Sequence, residues 1–169
     1  MRLCNVSDGH NIAIGHGAMD AGTGGYYNTC IGKDTGAAFA NNNVGACVLI
    51  GYQAGDAIAS SGGDETIAIG FHALGASTGA TGNVAIGSGA GAALIGARQN
   101  TILGMGALPE DTEGDRSTAI GYHALHEQKI TSDADSGNTA VGYAAGYENE
   151  TGIDNTYIGF AAGLGGGGS

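Results

Sequence analysis

Proline, tryptophan and charged side chains are scarce in this chain. Of its 169 residues, one is proline, none is tryptophan and 12% are charged. A collagen-like rod is excluded, because it requires glycine at every third position together with abundant proline. So few charged and aromatic residues beside 35 glycines also argue against an ordinary globular core.

Basic residues are few as well. Five lysines and arginines stand against 16 acidic residues, which gives a formal net charge of −11. Nucleic acid and anionic lipid bind proteins through dense positive charge, so neither is expected as a partner. No run approaches the roughly 18 apolar residues of a membrane span, and residues 1–8 lack the apolar segment of a secretory signal. We therefore expect no membrane insertion and no export signal in the chain as given.

Cysteine is limited to Cys4, Cys30 and Cys47. Three cysteines cannot all pair within one chain, and none has the Cys-x-x-Cys spacing of zinc or redox sites. Cys30 and Cys47 are interpreted as small buried or half-buried residues. No cofactor is expected.

A short phrase, an aliphatic residue followed by glycine, recurs nine times at intervals of 17, 19, 19, 17, 17, 17, 21 and 17 residues. Such regular self-similarity indicates stacked units that each bury an apolar face against their neighbours. We expect the aliphatic residue of each phrase to form the structural core of the repeat. These residues are Ile14, Ile31, Ile50, Ile69, Ile86, Leu103, Ile120, Val141 and Ile158.

The phrases are typical of short strands. Thr-Ala-Ile-Gly, as at 118–121, has β-branched residues at alternate positions, whereas a helix would need apolar residues spaced by three and four. Of the acidic residues, only Asp34 falls within four residues of a repeat glycine, so charge lies in the Gly- and Asn-rich corners between phrases. The sequence predicts an all-β, parallel β-roll or β-solenoid of nine repeats of about 17 residues over 11–163, preceded by a lead-in, 1–10, and followed by a flexible Gly-rich tail, 164–169.

Strand parity at the repeat glycine stays open. One residue after the glycine an aromatic often recurs, as in Tyr52, and three residues after it a small residue recurs in every repeat. A straight strand would put both on the face of the aliphatic residue, whereas a bend at the glycine would swing the aromatic away.

A 17-residue coil has room for about two short strands and a thin interior, so we infer that several chains pack side by side to cover more apolar surface.

The consensus resembles the head repeats of trimeric autotransporter adhesins and the repeats of phage tail fibres, often found upstream of endosialidase-type chaperone domains. The clearest matches are Asn83–Gly87, Asn138–Gly146 and Asn155–Gly163. The resemblance covers about nine tenths of the chain and implies a left-handed β-roll, three chains to a head or shaft, and a passive binding role. The adhesin repeats are usually shorter than 17 residues.

The leading hypothesis is a structural and host-recognition segment of a trimeric fibre, located in a virion tail or outside the cell, that binds a cell-surface polysaccharide or protein receptor. The alternatives are a self-assembling extracellular filament or spacer without a specific ligand, and a bacterial surface adhesin head. An ice-binding solenoid is a further alternative, because threonine recurs three residues before several repeat glycines. The end Gly165–Ser169 is interpreted as a native tail, a processing end or a linker.

Receptor contacts are expected on the longer loops and exposed aromatics. The candidate receptor-binding residues are Tyr122, His126, Asp133, Asp135, Tyr143 and Tyr147.

Enzymatic chemistry and metal sites are not expected. A narrow solenoid offers shallow grooves, and no Ser/His/Asp or Cys/His arrangement can be placed on it. Histidines at 72, 123 and 126 could form a metal-binding ring around a threefold axis, but exposed histidines without a ligand are the simpler interpretation. Residues 133–137 lack the further acidic ligands of a calcium loop, and the glycines at 87–91 fit the repeat without a nucleotide.

Overall fold

The fold is known from a computed structural model, which describes residues 9–21, 25–39, 44–59, 64–79 and 81–164. These residues form eleven short strands and no helix. The strands are β1 (Ile12–Ile14), β2 (Thr29–Ile31), β3 (Val48–Ile50), β4 (Ile67–Ile69), β5 (Val84–Ile86), β6 (Thr101–Leu103), β7 (Gly114–Asp115), β8 (Thr118–Ile120), β9 (Ala134–Asp135), β10 (Thr139–Val141) and β11 (Thr156–Ile158).

Nine of these strands form one parallel sheet in the order β1-β2-β3-β4-β5-β6-β8-β10-β11. Each strand ends on the residue before a repeat glycine, and neighbouring strands pair in the register of the repeat, with Ile69 beside Ile86 and Ile50. About eight turns of chain result. The all-β parallel solenoid predicted from the repeat is confirmed.

The repeat glycine follows each strand of this sheet. Gly87 has a φ of +139°, which side-chain-bearing residues rarely adopt, and an added Cβ would lie 2.5 Å from the carbonyl oxygen of Gly104 in the next coil. The other repeat glycines meet the next glycine carbonyl in the same way up to Gly142. Glycine is therefore required both by the backbone conformation and by the close approach of successive coils.

Two further residues of each coil turn the chain, at two and four positions after the repeat glycine. In the fourth coil these are His72 and Leu74, both with a φ of 52°. Left-handed residues interrupt an extended backbone, so in the described residues a second strand appears only where β7 pairs with β9 in parallel. The expected two strands per coil therefore form only beside the 21-residue interval.

The structure shows which residues of each repeat lie inside the coil and which lie outside. In the strand preceding Gly87, Ala85 is fully buried, while Val84 and Ile86 lie half-buried on the outside. The residue after the glycine is also outside, and the small residue three positions after it, such as Ala90, is buried because the intervening left-handed residue turns the chain. The chain does bend at the glycine, which has a positive φ, but the residue after it stays on the outer face, and the small residue reaches the interior only after the left-handed residue between them.

The prediction that the aliphatic residues before the glycines form the core is wrong for the single chain. They point away from the interior, since alternate residues of a strand lie on opposite faces and the middle residue of each strand takes the inner face. Ile14, Leu103 and Ile158 are exposed. Ile31, Ile50, Ile69, Ile86, Ile120 and Val141 are half-buried.

The interior is filled by large and small residues that complement one another. An added Cβ at Gly91 would come within 2.9 Å of methyl groups of Ile102 and Leu74 and within 3.1 Å of one of Leu94, all of which are fully buried. Glycine here leaves room for its neighbours' side chains. Cys30 and Cys47 are buried as expected, and burial raises the pKa of the Cys47 thiol to about 11.

A ladder of asparagines joins the coils just before the strands. Asn83 accepts a hydrogen bond from the backbone N–H of Asn100 at 2.8 Å and donates to the carbonyl of Ala97 at 2.8 Å. Asn100 repeats both bonds with Ser117 and Gly114. Both groups of each side-chain amide are thus used by buried backbone atoms of the next coil, which explains why asparagine recurs four residues before the glycine.

The interior changes from apolar to polar in the later coils. Asp111 and Gln128 occupy the position that Phe39 and Leu94 fill in earlier coils, seven residues after the repeat glycine, and both are fully buried. Gln128 donates to the Asp111 carboxylate, and its amide oxygen accepts from Asn138 at 2.8 Å. Burial raises the pKa of Asp111, against the hydrogen bonds to its carboxylate, which lower it. Every group in this buried network has a partner, so substitution of one would leave another unsatisfied.

The repeat glycines can be tested by comparing Gly87→Ala with Gly159→Ala. Both glycines have a positive φ, but an added Cβ at Gly159 meets nothing within 4 Å. We expect Gly159→Ala to lower the free energy of unfolding by about 1–3 kcal/mol from backbone strain alone. Gly87→Ala should lower it further, because the Cβ must also displace a backbone carbonyl. Guanidinium unfolding measures both losses, and equal losses would show that coil contact does not restrict this position.

Candidate interaction surfaces

The outer face of the nine-stranded sheet carries three columns of side chains, which together we call the outer face. The strand-start column is Ile12, Thr29, Val48, Ile67, Val84, Thr101, Thr118, Thr139 and Thr156. The pre-glycine column is the nine aliphatic residues from Ile14 to Ile158. The post-glycine column is His16, Lys33, Tyr52, Phe71, Ser88, Met105, Tyr122, Tyr143 and Phe160.

The outer face is almost free of charge. Lys33 is its one residue with a permanent charge, and its ammonium group lies 2.7 Å from the carboxylate of Asp34 and 5.0 Å from the ring centroid of Tyr52. From strand spacing and rise, the face measures roughly 40 by 13 Å, on the order of 500 Å². The face is mainly apolar but includes five threonines in its strand-start column, and its size matches the largest patches of typical monomers, which often serve in binding.

Stacked rings form part of the post-glycine column. The ring centroids of Tyr122 and Tyr143 are 5.3 Å apart, and those of Tyr143 and Phe160 are 5.0 Å apart, with interplanar angles of 12° and 9°. Stacking covers the ring faces and presents ring edges to solvent. Such a ladder suits packing against a flat apolar partner better than stacking of a sugar ring on an aromatic face.

Histidines and a tyrosine form a cluster beside these rings. His126 stacks on Tyr147 with a centroid distance of 4.8 Å, and the His123 and His126 centroids are 4.4 Å apart. His123 stacks in turn on Tyr122 at 3.8 Å. Burial, and to a lesser extent the neighbouring His126, lowers the pKa of His123. Four of the six candidate receptor residues, Tyr122, His126, Tyr143 and Tyr147, are therefore brought together here.

Asp133 and Asp135 lie elsewhere, on the corner that precedes the strands. Asp135 forms an ion pair with Arg116, and Asp133 lies 3.7 Å from Arg98. All four side chains are at least half exposed. The six predicted receptor residues thus belong to two separate groups at opposite ends of the strands.

Metal-binding geometry is absent from the residues that the structure describes. They contain no group of three or more His, Cys, Asp and Glu side chains that could hold a metal ion. Both aspartates of the calcium-like loop face arginines instead. The glycines at 87–91 are used by the fold, since Gly87, Gly89 and Gly91 all have positive φ.

The strand-start column is the part of the surface that the sequence analysis missed. Threonine in this column was expected on the same face as the aliphatic residue two positions later, but that face was expected to be the packed one, whereas it is the outer one. A signal was present in the alternation of β-branched residues on either side of a small middle residue, as in Thr118-Ala119-Ile120.

In comparisons with known proteins, no family model, no curated protein and no solved structure matches the chain. Within the described residues, no helix is long and apolar enough to cross a membrane. The surfaces themselves therefore carry the functional argument.

The histidine cluster can be tested by NMR titration of its imidazoles. We expect His123 to titrate below its ordinary pKa of 6.5 in the wild-type protein, because burial and His126 both oppose its protonation. His126→Ala should move the pKa of His123 toward 6.5, whereas His16→Ala, a change at an exposed histidine of the first coil, should leave it unchanged. Titration of His123 at or above 6.5 in the wild-type protein would contradict the cluster.

Proposed function

We propose that this protein is a structural and host-recognition segment of a trimeric fibre, in a virion tail or another extracellular device. The outer face is the observation that carries the proposal. It is a flat apolar surface that the single chain leaves in water, on a solenoid whose own interior is thin. Such a surface supports lateral packing of several chains.

Lateral packing has a hydrophobic driving force. The outer face also carries five threonines, Ser88, Lys33 and His16, so its burial contributes less than the roughly 10 kcal/mol that about 500 Å² of wholly apolar surface would give, before the entropic cost of association is subtracted. An unpaired charge on the face would weaken this association because it would be desolvated, and Lys33 is already paired with Asp34. Three chains around one axis, as the resemblance implies, would hide the outer face of every copy at once.

Packing of chains on the outer face would cover some of the candidate receptor residues and leave others exposed to solvent. Tyr122 and Tyr143 belong to the post-glycine column and would be covered by a neighbouring copy. Asp133 and the adjoining Thr131 and Ser132 are exposed at the tip of the longest interval between phrases. We therefore assign receptor contact to this tip, with the stacked rings serving assembly.

Assembly is tested by sedimentation equilibrium of the wild type, Ile86→Asp and Thr78→Asp. At low concentration we expect the wild type at about three times the 16.4 kDa chain mass, with no dissociation into single chains on further dilution. Ile86 lies on the central strand of the outer face, so a carboxylate there should yield single chains because it would be desolvated at the interface. Thr78→Asp adds the same charge on an exposed corner and should remain trimeric.

Circular dichroism must show that Ile86→Asp remains folded. Ile86→Thr, which keeps the β-branch, should weaken association less and serves as a second variant. A wild-type protein that stays at the single-chain mass at every concentration would overturn the trimer.

Receptor contact is tested by replacing Thr131, Ser132 and Asp133 together with alanine. We expect binding to host-cell surface polysaccharides on a glycan array to fall at least tenfold, because the variant removes the exposed polar groups of the tip. Removal of the whole interval would be a poor test, since Gln128 and Ile130 within it are buried. Thr151→Ala, on another exposed corner, is the matched control. Unchanged binding by the tip variant would contradict this assignment.

A further inference from the structure

The last strand of the described sheet, β11, has one side on which no described residue pairs with it. Thr139 of β10 donates its N–H to the carbonyl of Asn155, and Gly159 donates to the carbonyl of Val141, each at 2.8 Å. In a parallel ladder, alternate residues of a strand bond to opposite neighbours. Thr156 and Ile158, the counterparts of Thr139 and Val141, therefore direct their N–H and C=O groups away from β10, where no described residue pairs with them.

Side chains of the last coil lack contacts that the equivalent side chains of the preceding coils make with the next coil. Asn138 accepts a hydrogen bond from the N–H of Asn155 and donates to the carbonyl of Gly152. The side-chain amide of Asn155 has neither bond within the described residues. Ile158 and Phe160 are the most exposed large hydrophobic residues of the described chain, at 69% and 79%.

The first strand, β1, offers the complementary groups. Ile12 donates its N–H to the carbonyl of Asn28, and Ile14 accepts from Gly32, each at 2.8 Å. Ile12 and Ile14 thus face β2. The carbonyls of Asn11 and Ala13 and the N–H groups of Ala13 and Gly15 are directed to the other side, where β1 is the end of the described sheet.

We propose that β11 of one copy pairs with β1 of a second copy, in parallel and in the register of the repeat. Thr156 would then lie beside Ile12 and Ile158 beside Ile14, with four backbone hydrogen bonds across the junction. Tyr157, whose side chain is half-buried at the end of the core, would meet the small Ala13.

The remaining groups of the two ends match as well. The side-chain oxygen of Asn155 would accept the backbone N–H of Asn11, as the other asparagines accept in successive coils. Phe160 would extend the stacked rings onto His16. The contact is head-to-tail and cannot close on itself, so it generates linear growth along the solenoid axis, independently of lateral packing on the outer face.

Proline substitutions can block either end without removing an internal hydrogen bond. Thr156→Pro removes an N–H that points away from β10, and Ala13→Pro removes one that points away from β2. Thr156→Val keeps the N–H and is the matched control. Thermal unfolding of each variant verifies that the solenoid remains folded.

Particle length, measured by negative-stain electron microscopy over a wide concentration range, tests the junction. We expect the wild type and Thr156→Val to grow from units of about 40 Å into multiples of that length. Thr156→Pro and Ala13→Pro should each remain single units. A mixture of the two should form two-unit particles and nothing longer, since each variant keeps one intact end.

Wild-type particles that stay at one unit length at the highest concentration would overturn the proposal, as would growth of either proline variant by itself or a mixture that remains at single units. The lateral state is read separately, from the mass of Thr156→Pro by sedimentation. A trimer that does not grow and a single chain that grows are therefore distinguishable results.

Discussion

The close approach of successive coils at the repeat glycine is the constraint on which the rest of the structure depends. A Cβ at Gly87 would collide with the carbonyl oxygen of Gly104, and the same contact recurs along the sheet. Because the glycines stack directly, the strands pair in register and each side chain lies beside its counterpart in the next coil. Columns of identical or similar residues, inside and outside, follow from this alignment.

These columns divide the molecule into a thin interior and a broad apolar exterior. Inside, small strand residues such as Ala85 alternate with larger ones such as Leu49 and Ile102, and glycines in the turns leave room for them. Outside, the larger aliphatic residues remain in contact with water. A chain that leaves isoleucines, tyrosines and phenylalanines along one sheet face in water is organised for burial by another chain.

The buried polar residues and the strand ends also depend on the in-register stacking of the coils. Asp111, Gln128 and Asn138 occupy interior positions and satisfy one another, so misalignment of those coils would leave a buried polar group unpaired. At β11 the ladder stops with Asn155, Thr156 and Ile158 unpaired within the described residues, although these three residue types also occupy the same positions in internal coils. Tyr157 differs, since the other strands of the sheet carry Ala, Cys, Leu or Ile at that inner position, but the backbone groups of this end remain able to pair with another strand.

The sequence by itself determined the position of the nine strands before the repeat glycines and the all-β parallel fold, because Thr-Ala-Ile-Gly and its variants recur at nearly constant spacing and favour in-register stacking. It could not determine which face of the strand is inside. Ile69 and Ala68 are both apolar, and hydrophobicity alone favoured the larger residue as core, whereas the structure buries the alanine. Left-handed residues after the glycine decide this, since they turn the chain back over the middle residue of the strand, which takes the inner face whether it is Ala68 or Leu49. Tertiary structure likewise separated Asp133 and Asp135 from the tyrosines and His126, because residues close in sequence lie on different corners of the same turn.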